Sequence, residues 1–190
     1  TVAAVSLTGV TSSGTSTSTP MIGILATNGL VTTNANTIGS QSATGSLLYS
    51  TNTTTATDVY GIYNFTVDNW IANDNTIGGI TANNAGASGA FILYGMRGNT
   101  GAAVTWSAQN NIIGGTVANS LQNNSTSTTA QTIGLINSLS LATLRGNTIR
   151  NLTSAGGTGT STGASVIGMS FASTSVNNTV EQNTISALAN

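Results

Sequence analysis

The chain has no histidine, no cysteine and no lysine, a single proline (Pro20), and few charges in 190 residues. Its basic groups are Arg97, Arg145 and Arg150; its side-chain carboxylates are Asp58, Asp68, Asp74 and Glu181. Without His or Cys there is no ordinary zinc, copper or haem ligand set, no Ser-His-Asp or Cys-His nucleophile and no disulfide framework. Without Lys there is neither a Schiff base nor a Walker-type phosphate loop. These absences remove most enzyme classes, and no cofactor or metal is expected. Three scattered arginines cannot neutralise enough phosphates to hold nucleic acid or an anionic bilayer by charge. No apolar run approaches the roughly 18 residues of a membrane span, so none is expected.

Thr, Ser and Asn together exceed two fifths of the chain and 23 glycines are added to them, a composition that at first sight suggests disorder. The apolar fraction of 38%, a positive mean hydropathy and a net charge of −1 argue for a packed core instead. Thr1 is not an initiator Met and no basic segment precedes an apolar stretch, so any signal peptide is already removed or the chain is a piece of a longer one.

A repeat organises the rest. The strings Asn36-Thr37-Ile38, Asn75-Thr76-Ile77, Asn111-Ile112-Ile113, Asn147-Thr148-Ile149 and Asn183-Thr184-Ile185 recur with their Ile residues 39, 36, 36 and 36 apart, and Val2 lies 36 before Ile38. Three positions on, Val5, Ile80, Leu152 and Leu188 are apolar, whereas Gln41 and Thr116 are exceptions. A second anchor interleaves: Gly23-Ile24, Gly61-Ile62, Gly95-Met96, Gly134-Leu135 and Gly168-Met169, each Gly preceded by Ile22, Tyr60, Tyr94, Ile133 or Ile167. Period-two alternation, enrichment in Ile, Val and Thr, and scarcity of Glu, Lys and Arg point to strands.

Each copy thus reads as an apolar-Gly-apolar strand, a connection, an Asn-Thr-Ile strand and a polar loop such as residues 153–165, the loops being expected to lie in solvent. Stacking like on like gives an all-β fold, a parallel β-helix (β-solenoid) of about five turns of about 36 residues, with residues 1–190 as a single domain. The expected inward files are Ile22, Tyr60, Tyr94, Ile133, Ile167; Ile24, Ile62, Met96, Leu135, Met169; and Ile38, Ile77, Ile113, Ile149, Ile185, each aliphatic side chain contributing about 1.5–3 kcal/mol on burial. Gly23, Gly61, Gly95, Gly134 and Gly168, lying between two of these files, are expected to face outward as a column against which another backbone packs.

Asn36, Asn75, Asn111, Asn147 and Asn183 stand two before each anchor Ile. Identical amides at the rung spacing can hydrogen-bond up the column, and Asn tolerates the left-handed backbone of a tight bend, so they are expected to form a structural ladder. On these rungs the chain resembles right-handed parallel β-helix proteins with GI…NTI repeats, including large repetitive bacterial cell-surface and secreted proteins. The resemblance covers essentially the whole chain and implies a fold. It leaves function open, since pectate-lyase-like enzymes, phage tailspikes, adhesins and inert stalks share it.

Enzymes of this fold need clustered acids or a base on one face. Asp68 and Asp74 flank Trp70 but recur in no other rung, and read as solvated bend residues. Arg145 and Glu181, 36 apart, should form a cross-rung ion pair of at most about 1 kcal/mol. Trp70, Trp106, Tyr49, Tyr60, Tyr63 and Tyr94 could stack sugars but read better as packing residues. The file Thr37, Thr76, Thr148, Thr184, broken by Ile112, is a single one beside Ala35, Asp74, Asn110, Gly146 and Gln182, short of the flat double file of ice-binding solenoids. No extra segment is seen to cover either terminus, so the expected partner is self, by head-to-tail stacking or continuation of a longer solenoid. The expected role is non-enzymatic: an extracellular or cell-surface bacterial structural or adhesive unit of a filament, fibre or stalk. The alternative is a carbohydrate-binding or polysaccharide-degrading module with surface glycans as partners, distinguished by acids and aromatics sharing one face.

Overall fold

A computed structural model describes residues 5–8, 14–15, 19–65, 69–84, 89–99, 105–138, 141–171 and 177–190. After β1 (Val5–Thr8), the chain winds through five coils. Coil 1 is β2 (Met21–Ala26), β3 (Val31–Thr32), β4 (Thr37–Ile38) and β5 (Leu47–Thr51). Coil 2 is β6 (Thr57–Phe65), β7 (Asn69–Ile71), β8 (Thr76–Ile77) and β9 (Ile80–Asn84). Coil 3 is β10 (Phe91–Asn99), β11 (Thr105–Gln109), β12 (Ile112–Ile113) and β13 (Leu121–Asn123). Coil 4 is β14 (Gln131–Asn137), β15 (Leu141–Arg145) and β16 (Thr148–Ser154); coil 5 is β17 (Val166–Phe171), β18 (Thr179–Glu181) and β19 (Thr184–Ala189).

Every pairing between these strands is parallel, and like stacks on like. A glycine face holds β2, β6, β10, β14 and β17; a middle face holds β3, β7, β11, β15 and β18; the anchor face holds the remaining strands. The fold is therefore a parallel β-solenoid, its coils stacked through four inter-rung steps. Among the described residues the helical element is one 3-10 turn, Ser161–Gly163. The middle face is the part that the sequence repeat showed only as a connection. Its inward side chains, Val31, Trp70, Trp106 and Ala142, are in register but differ in size and type, so no repeat marks them.

The anchor file Ile38–Ile77–Ile113–Ile149–Ile185 is in register. So is a second file, Val5–Leu47–Ile80–Leu121–Leu152–Leu188. Coils 1 and 3 carry insertions between the two, residues 39–46 and 114–120, which is why Gln41 and Thr116 break the three-residue spacing. The segments after the anchor are thus only partly solvent loops: Leu47, Tyr49, Ile80, Leu121 and Leu152 are buried. Within residues 153–165, Gly157 is also buried and its N–H donates to the Ser127 carbonyl at 2.8 Å.

Each glycine-face strand breaks its alternation at the glycine. Ile62, Met96 and Leu135 lie in the main core with the anchor Ile residues, whereas Tyr60, Tyr94 and Ile133 lie in a separate cluster with Tyr63. A Cβ on Gly61 would stand 2.7 Å from Ile77 Cγ2 and 2.5 Å from Gly95 O. The glycine and the residue after it therefore both face the interior, a bulge-like break that sends the preceding residue to the other side. Two expectations are corrected by this. The column Gly23, Gly61, Gly95, Gly134, Gly168 points inward, where close approach of the anchor Ile side chains, and for the first four also of the next rung's carbonyl, leaves no room for a side chain. The file Ile22, Tyr60, Tyr94, Ile133, Ile167 is in register but lies on the outer side of this face.

The two ends differ. In coil 1, Ile38 and Leu47 are 3% and 4% exposed, with β1 paired to β5; in coil 5, Ile185 and Leu188 are 46% and 39% exposed. The expectation that neither end is covered is thus corrected at coil 1. Val2 lies outside the described residues.

Candidate functional site

The five asparagines form a directional ladder. Asn36, Asn75, Asn111 and Asn147 each donate twice, from backbone N and from Nδ2, to the Oδ1 of the asparagine in the next coil, at 2.9–3.0 Å. The second Nδ2 hydrogen of Asn111, Asn147 and Asn183 goes back to the carbonyls of Ala72, Ala108 and Leu144 in the preceding coil, each at 2.8 Å. Asn75, Asn111 and Asn147 are fully buried with their amides paired on both sides, which is how a core of this kind tolerates polar groups.

The bend that aims them is made one residue earlier than expected. Ala35, Asp74, Asn110, Gly146 and Gln182 all have positive φ, between 55° and 65°. A single left-handed residue turns the chain from the middle face to the anchor face and presents the following Asn inward. The residue there ranges from Gly146 to Gln182 because it lies on the outer side of the bend, so only the asparagine repeats strictly.

The ladder has a donor end and an acceptor end. The Asn183 backbone N–H meets no acceptor, and Asn36 Oδ1 meets no donor, among the described residues. The coil 5 edge exposes Phe171 at the end of β17 and Val180, Ile185 and Leu188 on either side of Asn183; every residue of β18 and β19 is open to solvent, and Asn183 between them is half-buried. This edge, where the Asn183 backbone N–H and forward Nδ2 hydrogen meet no acceptor among the described residues and where β17, β18 and β19 are paired on the coil 4 side only, is the strongest candidate for a functional surface.

Other candidates from the sequence are placed as follows. Arg145 Nε lies 3.3 Å from Glu181 Oε1 and donates to Gln182 Oε1 at 2.9 Å, with both charged side chains about half exposed, so solvent screens the pair. Asp68 lies outside the described residues; Asp74 is an exposed bend residue whose Oδ1 accepts from Asn110 Nδ2 at 3.3 Å. Trp70 and Trp106 stack in the core at 4.8 Å, and the Trp70 indole N–H donates to Thr33 Oγ1 at 2.9 Å. The Thr37, Thr76, Ile112, Thr148, Thr184 file is in register on the outer side of the anchor face.

One cluster is only partly signalled by the sequence: Tyr60 and Tyr94 share a repeat position, and so do Tyr63 and Arg97, but the charges of Asp58 and Arg97 recur in no other coil. On the outer side of the glycine face, Tyr60 stacks on Tyr63 at 4.3 Å and on Tyr94 at 4.9 Å. Arg97 lies over the Tyr94 ring at 4.8 Å, donates to the Tyr60 hydroxyl at 3.0 Å and stands 3.7 Å from Asp58 Oδ2. The Tyr60 hydroxyl donates in turn to Asp58 Oδ2 at 2.6 Å. Burial pushes the Tyr94 phenol up to about 12, with Arg97 working against the rise, and holds Tyr60 far above the usual tyrosine range with help from Asp58. Burial works against the Arg97 charge; Tyr94, Tyr60, Tyr63 and Asp58 outweigh it, leaving its pKa raised. The cluster can hold a neutralised ion pair between aromatic faces, which locks coil 2 to coil 3.

Comparison with protein-family models, curated proteins and solved structures finds no match. Among the described residues no helix is long and apolar enough to cross a membrane.

Proposed function

We propose that this chain is a structural or adhesive β-solenoid unit of an extracellular filament, fibre or stalk on a bacterial surface, with no catalytic role. The observation that carries the reading is the amide ladder, which runs unbroken through five coils and stops on a free donor at an open, apolar edge. A coil of the same kind set on coil 5 would accept the Asn183 N–H, pair β17, β18 and β19, and cover Val180, Ile185 and Leu188. Such a coil comes either from a second copy or from further chain. Stacking of this kind is heterologous and does not close, so it makes rods, not dimers. The formal net charge of −1 opposes association little.

Sedimentation and electron microscopy of the 190-residue chain over rising concentration test this. Rods that lengthen with concentration and persist at high salt are expected; a monodisperse monomer throughout would refute self-stacking. The mass of the native chain then separates a stacked unit from a longer solenoid.

A second reading, a carbohydrate-binding or polysaccharide-degrading module, draws on the fact that Asp58, Tyr60, Tyr63 and Tyr94 share the outer side of one face. The first reading is preferred because these rings are at most 5% exposed, leaving no ring face for a sugar, and Asp58 is already engaged by Tyr60. Specific retention on a polysaccharide, or its turnover, would favour the second reading.

A further inference from the structure

The register ties the two ends of the solenoid together. Val5 pairs with Leu47, and the same file continues through Ile80, Leu121 and Leu152 to Leu188. Strand β1 therefore stands under coil 1 in the same angular position that residues 187–189 hold in coil 5. Beside it lies the file Ser6–Leu48–Thr81–Gln122–Thr153–Ala189.

Consider a second copy seated on coil 5, with its β2 on β17, its β3 on β18 and its β4 on the first half of β19. Its β1 and residues 187–189 of the first copy then claim one place. If β1 stays, the two copies touch, among the described residues, only through that short strand, and β2, β3 and β4 are held one missing rung away from β17, β18 and β19. If β1 leaves, Leu188 and Ala189, the two residues of this segment that are in ladder register, take over its pairing with β5. A four-residue pairing is exchanged for a two-residue one, and pairing is gained along β2, β3 and β4, which are six, two and two residues long. Exchange also brings the donor end of one amide ladder, the Asn183 N–H, against the acceptor end of the next, Asn36 Oδ1. A tail-to-tail pair of coil 5 edges would set two donor ends against each other. On the anchor face coil 1 is closed, with Ile38 and Leu47 nearly inaccessible, while its β2 side is open, with Gly23 and Leu25 exposed and Ile24 half-buried; the covered part is the part β1 plugs.

We propose that β1 is an exchangeable plug on coil 1, displaced during head-to-tail growth by residues 187–189 of a second copy of this chain. The inference rests on the self-stacking reading above, and deepens it by naming the partner and the gate.

Paired cysteines distinguish the possibilities, since the chain has no thiol of its own. In the exchanged joint Ala189 of one copy lies opposite Leu48 of the next; in a joint that keeps β1, it lies opposite Ser6. Within one copy, residues 48 and 189 are four rungs apart, about 19 Å at about 4.8 Å per rung, well beyond the reach of a disulfide. Leu48 is half-buried on the outer side of its strand and Ala189 is exposed, so Leu48→Cys with Ala189→Cys leaves the core untouched. Circular dichroism and thermal melts confirm that each variant is folded before use.

Assembled Leu48→Cys/Ala189→Cys, oxidised and run on a non-reducing denaturing gel, is expected to give a series of covalent multimers at least tenfold more abundant than Ser6→Cys/Ala189→Cys does. The reverse ratio means that β1 stays in place and overturns the plug while sparing self-stacking. Rods with neither cross-link mean a different joint and overturn it as well. If the unmodified chain forms no rods at any concentration, the self-stacking reading falls and the plug falls with it.

Discussion

Thr116 donates from both its backbone N and its Oγ1 to one acceptor, the carbonyl of Gln41, 75 residues earlier, at 2.7 and 2.9 Å. These are the two residues that break the apolar spacing of the repeat. They meet because coils 1 and 3 carry insertions at the same corner and coil 2 between them carries only Gly78 and Gly79, so the two insertions close over coil 2. Ser120 Oγ completes the clasp by accepting from the Gly79 and Gly115 N–H groups at 3.0 and 2.6 Å.

The clasp predicts an unusual sensitivity at Gly78. A Cβ there would lie 2.6 Å from Gln41 Nε2, 2.8 Å from Ser40 O and 2.9 Å from Ser120 Oγ. Gly78→Ala is expected to lower stability by about 1–3 kcal/mol, the range of overpacking. Gly163→Ala, where the new methyl meets open space, should stay within about 0.5 kcal/mol. Thermal unfolding of the two variants side by side checks this, and equal melting temperatures would dissolve the clasp.

Much of this architecture was legible because the near-constant spacing of the anchors, 36 residues in three of the four Ile intervals, aligns identical residues. The anchor Ile file, the ladder asparagines and the neighbouring positions of Arg145 and Glu181 all follow from counting. What counting missed has local physical causes. Insertions at residues 39–46 and 114–120 hid Leu47 and Leu121 from the spacing rule. The middle face escaped notice because Trp70 and Trp106 stack in the same file as Val31 and Ala142, with nothing in common but inward direction. The break at each glycine defeated strict alternation, and so placed Tyr60 and Tyr94 on the wrong side. The Arg97 cluster could not be foreseen from a repeat, since Asp58 and Arg97 occupy offsets that no other coil fills with charge.

The ladder should be strongest in the middle. Asn111→Leu leaves the Asn75 N–H and Nδ2 without their shared acceptor and the Ala72 carbonyl without its donor, all in a dry interior. With each stranded group costing about 1–3 kcal/mol, a loss of about 3 kcal/mol or more is expected. Asn183→Leu strands the N–H and Nδ2 of the buried Asn147, but one rung below the open coil 5 edge. The acceptor lost there was itself only half-buried and water entering from the edge can replace it, so the change should cost about 1 kcal/mol. Denaturant midpoints that fall equally for both would show that the amides contribute as isolated polar groups and not as a connected column.

The inward glycine column makes a different claim, about space. At Gly95 a methyl group would press on Ile113 Cγ2 and come 2.6 Å from Gly134 O, which is backbone and cannot move aside alone. Gly95→Ala should therefore destabilise by about 1–3 kcal/mol. Shortening the facing side chain should not restore it: Gly95→Ala with Ile113→Ala is expected to be no more stable than Ile113→Ala by itself. If the added methyl instead filled the space vacated by Ile113 and raised the melting temperature above that of Ile113→Ala, the carbonyl contact would not be limiting.

The tyrosine cluster sets an alkaline limit on stability. In the folded chain Tyr94 keeps its proton up to about pH 12, because burial disfavours the phenolate, whereas the unfolded chain releases it near the ordinary value of 10.0. Between these values the unfolded state binds fewer protons than the folded one, so unfolding becomes easier as pH rises. Tyr94 contributes its full stabilisation below about pH 10 and loses it progressively toward pH 12, at about 1.4 kcal/mol per unit of pH. Tyr60, raised further still by burial and by Asp58, should steepen the same fall. Tyr94→Phe removes one titrating group while keeping a ring for Tyr60 to stack on, so its stability should decline more gently than that of the unaltered chain between pH 10 and 12, with parallel curves below pH 9. Superimposable pH profiles for the two proteins in chemical denaturation would mean that the Tyr94 hydroxyl reaches solvent in the folded state and that the stack is open to water.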